Sequence, residues 1–387
     1  MRSTGGDHYL GLDHIRAIAA LMVFSWHFLH ASYGAGYPVP FANPPALLPA
    51  ALFDEGHTGV ALFMTLSGYL FAKLLDNKKI IYKYFLWNRF IRLAPLLALV
   101  IMVRFSESVV LSTFFANIYS GKSPTVVLKD IAYGLIAPTW PNGGWSITTE
   151  MHFYLVLPLL LIFFRRYRIG VVVLLATTIL MRIVLYSHLG ELQRLSYWTI
   201  IGRIDQFMIG IVAFQLSQNL VKRHWLAGSV AISFVAFYWL FDYFGGWHNM
   251  PTYPSPSIIW IILPTIEGLT YGILIAYYDR NFEPTPTGFS WFIAKIGAYS
   301  YSIYLLHFFV VDHEAYLIDT YIVNLSNWYV AEGAAILCFL MMIPIGYLSF
   351  RFIESPFLQH RIKYTITSGE PLKYIAPSGV AYHDARS

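Results

Sequence analysis

Long apolar segments recur along the sequence, and they limit the possible folds more than any single motif does. Only 12% of the 387 residues are charged, whereas soluble domains carry about 25%. A helix of about twenty apolar residues crosses the roughly 30 Å hydrocarbon core of a bilayer. We therefore predict an all-α, polytopic membrane protein with ten transmembrane helices, near residues 12–32, 57–75, 83–105, 146–165, 169–187, 199–218, 226–244, 257–278, 295–312 and 330–352.

The positions of the basic residues test this count. They cluster in alternate loops and in the C-terminal tail, at Lys78, Lys79, Lys83, Arg165, Arg166, Arg168, Lys222, Arg223, Arg280, Arg361, Lys363 and Lys373. The intervening loops 33–56, 245–256 and 313–329 contain no lysine or arginine. The positive-inside rule then places both termini in the cytoplasm. An eleventh span within 107–137 would break this alternation, so we predict a partly interfacial loop there.

The transmembrane domain is predicted to cover residues 1–357, followed by a short, polar, solvated cytoplasmic tail at 358–387. The single cysteine, Cys338, excludes an internal disulfide and a thiolate metal cluster. We find no internal repeat, phosphate-binding glycine loop or zinc-binding motif, and we expect no metal. The net charge of +5 requires no nucleic-acid partner if the basic residues lie in loops on one side.

Two polar residues interrupt the first apolar segment, and they are the most informative pair in the chain. Arg16 and His27 are eleven residues apart, so they are separated by roughly 16 Å along a helix. Eleven residues make about three turns, so both side chains project from nearly the same face. Ionisable residues inside a spanning helix are costly and usually functional. The segment therefore predicts a functional stripe across the membrane.

The predicted topology converts sequence positions into depths and indicates an outer layer of polar residues. His27 lies roughly 22 Å above the cytoplasmic face, and Glu150, on a helix that starts outside, lies about 7 Å below the outer face. On the ninth and sixth helices, His307 and the pair Arg203 and Asp205 reach comparable depths. We therefore predict that His27 and Glu150 meet although more than a hundred residues separate them.

An inner layer lies nearer the cytoplasm. Arg89 and Arg92 are three residues apart on the third helix, so they share a face roughly 9–14 Å above the cytoplasmic boundary. With Arg16, which lies near the cytoplasmic face, they form a cationic cluster that opens inward. Because guanidinium groups bind phosphate oxygens bidentately, this cluster suits a polyanion such as a phosphorylated cofactor.

Each of these residues also has a structural interpretation. A membrane histidine is often an interhelical hydrogen-bond partner, which is the favoured interpretation for His307 among its aromatic neighbours. Glu150 could serve only to neutralise an arginine. Arg203 is better explained as a residue that pairs with other helices than as a reacting group. Arg89 could extend towards the inner headgroups.

Six motifs, in order along residues 10–357, resemble those of the acyltransferase-3 family of membrane-bound acyltransferases. They are Arg16-x10-His27, the stretch 59–70, Arg89-x-x-Arg92 with Pro95, the stretches 145–154 and 297–307, and Glu354-Ser-Pro356. The resemblance is to the stand-alone transmembrane form, without the esterase-like domain fused to some members.

The resemblance implies an activity. Members of this family transfer an acyl group, commonly acetyl from acetyl-CoA, to a hydroxyl of a surface carbohydrate or another acceptor. We therefore expect an integral, multi-pass protein of the bacterial inner (plasma) membrane, with acyl-CoA as donor. The acceptor would be a carbohydrate or lipid-linked glycan, such as a lipopolysaccharide or exopolysaccharide precursor. The exact acceptor, the acyl-chain length and the oligomeric state are left open.

These inferences assign roles to individual residues. His27 is expected to act as general base on the acceptor hydroxyl, with its pKa tuned by Glu150; a transient acyl-His27 is the less favoured variant. Arg16 would orient the thioester or stabilise the oxyanion, while Arg89 and Arg92 bind phosphates. The predicted substrate-binding residues are Ser146, Tyr154, Trp145, His307 and Arg203.

Two other classes of protein remain compatible with the sequence. A proton-coupled transporter or flippase of a carbohydrate or lipid also uses buried His, Glu and Arg residues as relays. Many transporters carry an internal repeat, which this sequence lacks. A non-enzymatic membrane scaffold would explain the ten spans but gives no purpose to the matching depths of His27 and Glu150.

Overall fold

The structure is a computed structural model that describes most of the chain. The described residues are 9–32, 39, 45–76, 78–114, 122–166, 168–247 and 253–367, without the side chains of 165–166, 168–169 and 367. The predicted tail from 368 onwards, including Lys373, and the basic side chains at 165–168 lie outside this set.

The described residues are almost entirely helical. The α-helices are α1 (Leu10–Leu29), α2 (Ala51–Asp54), α3 (Thr58–Leu74), α4 (Tyr82–Phe114), α5 (Pro124–Tyr133), α6 (Trp145–Arg166), α7 (Arg168–Leu189), α8 (Gln193–Trp198), α9 (Ile200–Leu216), α10 (His224–Tyr243), α11 (Leu263–Asn281), α12 (Gly288–Leu306), α13 (Val311–Tyr321), α14 (Trp328–Ser349) and α15 (Ser355–Leu358). Short 3-10 helices extend the ends of several, and one π-helical turn, Phe350–Glu354, joins α14 to α15. Two short strands, β1 (Lys78–Ile80) and β2 (Thr365–Thr367), form an antiparallel pair.

Six helices in the described part are long and apolar enough to cross a membrane. They lie at Tyr82–Phe114, Trp145–Phe164, Gly170–Leu189, Ile200–Leu220, His224–Tyr243 and Trp328–Leu358. Each coincides with a predicted span. The chain is therefore an integral, multi-pass membrane protein with at least these six candidate spans.

The other four predicted spans are also helical, but they are not among these six candidate spans. They correspond to α1, α3, α11 and α12. Thirteen of the 20 residues of α1 and thirteen of the 17 residues of α3 are buried, compared with eight of 33 in α4. Neighbouring helices therefore cover most of α1 and α3, and α3 is apolar but only 17 residues long.

The stretch 107–137, predicted as a partly interfacial loop, contains more helix than expected. The helix α4 continues to Phe114, nine residues past its predicted end, and α5 adds ten residues. A ten-residue helix is too short to cross a bilayer. Residues 115–121 lie outside the described set.

Glycines allow the buried helices to approach closely. A Cβ atom on Gly68 of α3 would overlap the carbonyl oxygen of Phe207 on α9, and one on Gly210 of α9 would overlap that of Thr65. A Cβ on Gly297 of α12 would likewise overlap the backbone of Asp13 on α1. Small residues at such crossings bring helix backbones into contact, a common way of packing helices in membranes.

The first part of the predicted tail is packed against the helical domain. The β2 strand pairs with β1, with Lys79 opposite Ile366. The side-chain amide of Asn88 on α4 donates to the carbonyl of Ile362 at 2.6 Å, and its oxygen accepts from the Ile362 amide at 2.9 Å. The polar composition of 358–367 therefore does not make this part of the tail a free, solvated end.

The α3–α9 crossing gives a first prediction. Gly68→Ala is expected to lower the free energy of unfolding by about 1–3 kcal/mol, because the added methyl group must displace the backbone at Phe207. Unfolding in detergent micelles, followed by heat or denaturant, measures this loss. Gly228→Ala on α10 is the matched control, because a Cβ there meets nothing within 4 Å. Equal stability of the two variants would contradict the close crossing.

Candidate active site

A single cavity of about 240 Å³ gathers most of the predicted site residues. The helices α1, α3, α4, α6 and α12 contribute its walls. Six residues predicted from the sequence line it, namely Arg16, Arg89, Arg92, Ser146, Glu150 and Tyr154. Four others, His27, His307, Trp145 and Arg203, lie outside its lining.

Helical spacing places several lining residues in pairs on one face of a helix. Arg89 and Arg92 are three apart on α4, and Glu150 and Tyr154 are four apart on α6, so each pair shares a face. Asp13 and Arg16 are three apart on α1 and form an ion pair. Both line the cavity, so the charge of Arg16 is already partly compensated by its own helix.

Arg92 is anchored by a carboxylate from the C-terminal end of the domain. Its Nη1 atom donates to Glu354 at 2.6 Å, and the other oxygen of Glu354 accepts from the Ser302 hydroxyl. The guanidinium also lies over the Tyr301 ring, 5.6 Å from its centroid. Arg92 is therefore fixed in direction, which argues against its extension towards the headgroups.

Arg89 has fewer polar partners than Arg92. Its guanidinium packs against the rings of Phe71 and Phe85, at 5.2 and 5.8 Å from their centroids, and interacts with the Tyr154 hydroxyl. Its Nε atom is buried and has no hydrogen-bond partner among the described residues. A buried guanidinium N–H without an acceptor is costly, so this group is available to a ligand in the cavity.

Glu150 lies on the cavity wall and is held by hydroxyl groups. Tyr154 donates to its Oε1 atom, and the Ser67 hydroxyl approaches the same oxygen at 3.4 Å. Within the described part of the chain, no arginine lies at ion-pair distance from Glu150. No direct contact therefore supports the alternative that Glu150 merely neutralises an arginine.

His27 lies outside the cavity lining, beside a second histidine. The centroid of its ring is 5.0 Å from that of His307 and 4.3 Å from that of Phe308. Tyr304 lines the cavity and its ring centroid is 6.0 Å from that of His307. Tyr304 and His307 therefore connect the cavity to His27, while the contacts of Glu150 are made on the cavity wall itself.

The tautomer of His307 follows from its hydrogen bond. Its Nδ1 atom lies 3.2 Å from the carbonyl of Ile303, so Nδ1 carries the proton that is donated. Nε2 is buried and has no hydrogen-bond partner in the described part of the chain. In the neutral ring this nitrogen is an acceptor, so a proton acceptor lies within the histidine pair.

Arg203 and Trp145 belong to an aromatic cluster outside the cavity lining. The guanidinium of Arg203 is 4.2 Å from the Tyr197 ring centroid and 5.7 Å from that of Trp145. It also donates to Gln206 at 3.0 Å. The neighbouring Asp205 forms a fully buried ion pair with Arg182 of α7 at 2.8 Å. These contacts fit the structural interpretation of this part of the outer layer.

Two lining residues come from the segment that the sequence assigned to the tail. Arg361 and Tyr364 both face the cavity. Burial, followed by the nearby guanidinium groups of Arg92 and Arg89, lowers the pKa of Arg361 to about 9. The signal that could have found this segment is the alternation of large apolar and polar residues from Ile362 to Thr367, which is typical of a strand.

Comparisons with known proteins identify the family. A relative from Staphylococcus aureus (strain COL), named "Putative O-acetyltransferase SACOL0978", is 25% identical over 401 residues, covering 91% of this chain and 58% of its own length. Peptidoglycan O-acetyltransferase OatA from Listeria monocytogenes is 26% identical over 381 residues, covering 89% of this chain and 55% of its own. The chain thus spans somewhat more than half the length of these curated relatives. No solved structure matches the chain. The acyltransferase-3 family, described as an acyltransferase domain, matches residues 9–351, and the chain belongs to this family.

Proposed function

We propose that the chain is a membrane-embedded O-acyltransferase. It moves an acyl group, most simply acetyl, from cytoplasmic acyl-CoA to a hydroxyl of a cell-surface carbohydrate or its lipid-linked precursor. Family membership and the names of the relatives support the reaction class. The observation that carries the proposal is the single cavity that joins arginines suited to phosphate with a carboxylate and hydroxyls.

The orientation that this function needs is the predicted one, with ten spans and both termini in the cytoplasm. Contacts between helix ends support it. Lys73, at the end of α3, lies 4.2 Å from the ring centroid of Tyr9 before α1, and β1 pairs with β2. At the opposite side, Asp54 before α3 accepts from Trp328 at the start of α14. The basic loops then lie on the side of the arginines.

The donor fits the arginine-lined part of the cavity. Arg89 and Arg92 share a face of α4, and Arg16 lies on the same cavity wall. A planar guanidinium matches phosphate oxygens bidentately, and acyl-CoA carries several phosphates. With the phosphates bound there, the thioester arm extends into the cavity towards Glu150. Arg16 would orient the thioester carbonyl or stabilise its negative charge during attack.

The transfer itself needs a base for the acceptor hydroxyl. The hydroxyl oxygen attacks the thioester carbonyl, an ester C–O bond forms, the C–S bond breaks, and the hydroxyl proton ends on the thiol. His27 takes this proton in our proposal, with His307 beside it. Glu150 acts from the cavity wall, and a transient acyl-His27 remains the variant mechanism. Ser146 and Tyr154 on the cavity wall position the substrates, and Trp145, His307 and Arg203 shape the surrounding outer half.

Removing the proposed base is the first test of the mechanism. His27→Ala is expected to lower acyl transfer by at least about 10²–10⁴-fold, the usual contribution of general base catalysis. The measurement is transfer of label from acetyl-CoA to the glycan and lipid fraction of membranes, together with release of free thiol. His188→Ala, at an exposed position at the end of α7, is the matched control.

Normal membrane insertion of His27→Ala with appreciable residual acylation would remove His27 from the mechanism. Wild-type protein that turns over no thioester would favour the transporter alternative.

Removing a proposed phosphate ligand tests the donor. Arg92→Ala is expected to raise the acyl-CoA concentration needed for half-maximal rate by about 10- to 100-fold, because a charge-assisted hydrogen bond contributes about 1.5–3 kcal/mol. The requirement for acceptor should change much less. Arg92→Lys keeps the charge but loses the planar fork, so its loss should be intermediate. Normal binding of acyl-CoA by purified Arg92→Ala would show that the phosphate assignment is wrong.

A further inference from the structure

The segment that follows α15 occupies a fixed position against α4. We name residues 359–367 the C-terminal strap. Both polar atoms of the buried Asn88 amide bond to the main chain of Ile362, and the Tyr364 carbonyl accepts from the Ile81 amide at 2.8 Å. The Trp87 indole also donates to the carbonyl of His360 at 3.3 Å. These contacts join parts of the chain more than 270 residues apart, so the strap is part of the folded domain.

The strap contributes two side chains to the wall of the cavity. Tyr364 is buried, and its ring packs edge-on against Phe85, with 5.6 Å between the centroids. Arg361 lies beside Arg89 and Arg92, close enough for their charges to act on it. Between Arg361 and Tyr364, Lys363 is exposed and does not line the cavity. The strap thus places one cation, that of Arg361, in the cavity wall.

The charges around Arg361 do not balance. Three guanidinium groups, those of Arg89, Arg92 and Arg361, share one carboxylate, Glu354, which already binds Arg92 and Ser302. In the described part of the chain, no carboxylate lies within ion-pair distance of Arg89 or Arg361. The Nε atoms of both are buried and lack hydrogen-bond partners there. Partly buried cations without counter-ions are costly, so the fold favours an anion at this place.

We propose, resting on the acyltransferase function above, that Arg361 is a third donor-binding residue and that the strap completes the donor site. Arg361, Arg89 and Arg92 together bind the phosphate groups of acyl-CoA. Donor binding then stabilises the docked strap, because the anion removes the repulsion between the three guanidinium groups. Conversely, release of the strap removes one of the three ligands of the phosphates.

A phospholipid headgroup of the inner leaflet offers the same phosphate chemistry. The donor is favoured, because the cavity that contains the arginines also contains Glu150 and Ser146, which a headgroup has no need to reach. The two sources differ in a measurable way. Soluble coenzyme A binds in a neutral bilayer, whereas a headgroup ligand requires anionic lipid in the bilayer.

The experiment uses the full chain in nanodiscs made of phosphatidylcholine alone, with coenzyme A as the probe. Two quantities are measured, the Kd for coenzyme A and the hydrogen exchange of backbone amides 359–367. Coenzyme A is expected to slow this exchange in the wild type. Arg361→Gln should weaken binding by about 10- to 100-fold and abolish the slowing. Lys363→Gln, the matched control on the same strap, should leave both nearly unchanged.

Each outcome decides between the proposals. Unchanged affinity in a folded Arg361→Gln would overturn the strap proposal and leave the acyltransferase function standing. Failure of the wild type to bind coenzyme A would remove the proposed donor, and the strap site with it. Slowed exchange only in nanodiscs containing phosphatidylglycerol would assign the site to a lipid headgroup and overturn the donor. If Arg361→Gln does not fold, the wild-type exchange decides, since no slowing by coenzyme A contradicts the proposal.

Discussion

The free-energy cost of burying a charged side chain away from water constrains where charged residues lie in this structure. Some buried charges have a charged partner on another element, such as Arg182 with Asp205 at 2.8 Å. Such pairs offset desolvation only when their geometry is good, and they tie helices together in doing so. At the cavity, Arg89 and Arg361 have no carboxylate partner within the described residues and lie beside a third guanidinium group. This cluster of positive charge is therefore the place where a phosphorylated substrate is expected.

The positions of the helices could be predicted from the sequence because length and apolarity are local properties. Each of the ten predicted segments contains a helix, with ends that differ by up to seven residues or, for α4, by nine. The sequence could not show which helices face lipid and which are internal. That division depends on neighbours, which cover most residues of α1 and α3. Length and apolarity alone do not show it, because the largely buried α9 also belongs to a candidate span whereas the apolar α3 is only 17 residues long.

The candidate site was predictable in part. Spacing along one helix predicted that Arg89 and Arg92 share a face, because helical faces follow from the sequence alone, and both side chains line the cavity. Which helices meet depends on tertiary packing, and here the prediction was less complete. His27 has His307 rather than Glu150 as its direct neighbour. Arg361 was missed because its position depends on the hydrogen bonds between the Asn88 amide and Ile362. These residues are 274 positions apart, and no local sequence pattern predicts their contact.

The size of the cavity limits how a large donor can use it. At about 240 Å³ it is smaller than the roughly 300–1,000 Å³ of pockets that enclose whole drug-sized ligands. A nucleotide together with its acyl arm therefore exceeds the space. The narrow thioester arm fits inside, while the phosphates stay with the arginines of α4 and the strap. Tyr304 and His307 then separate the end of the cavity from His27. We expect Tyr304 to turn aside when the acyl group arrives, because otherwise the base cannot reach a hydroxyl that attacks the thioester.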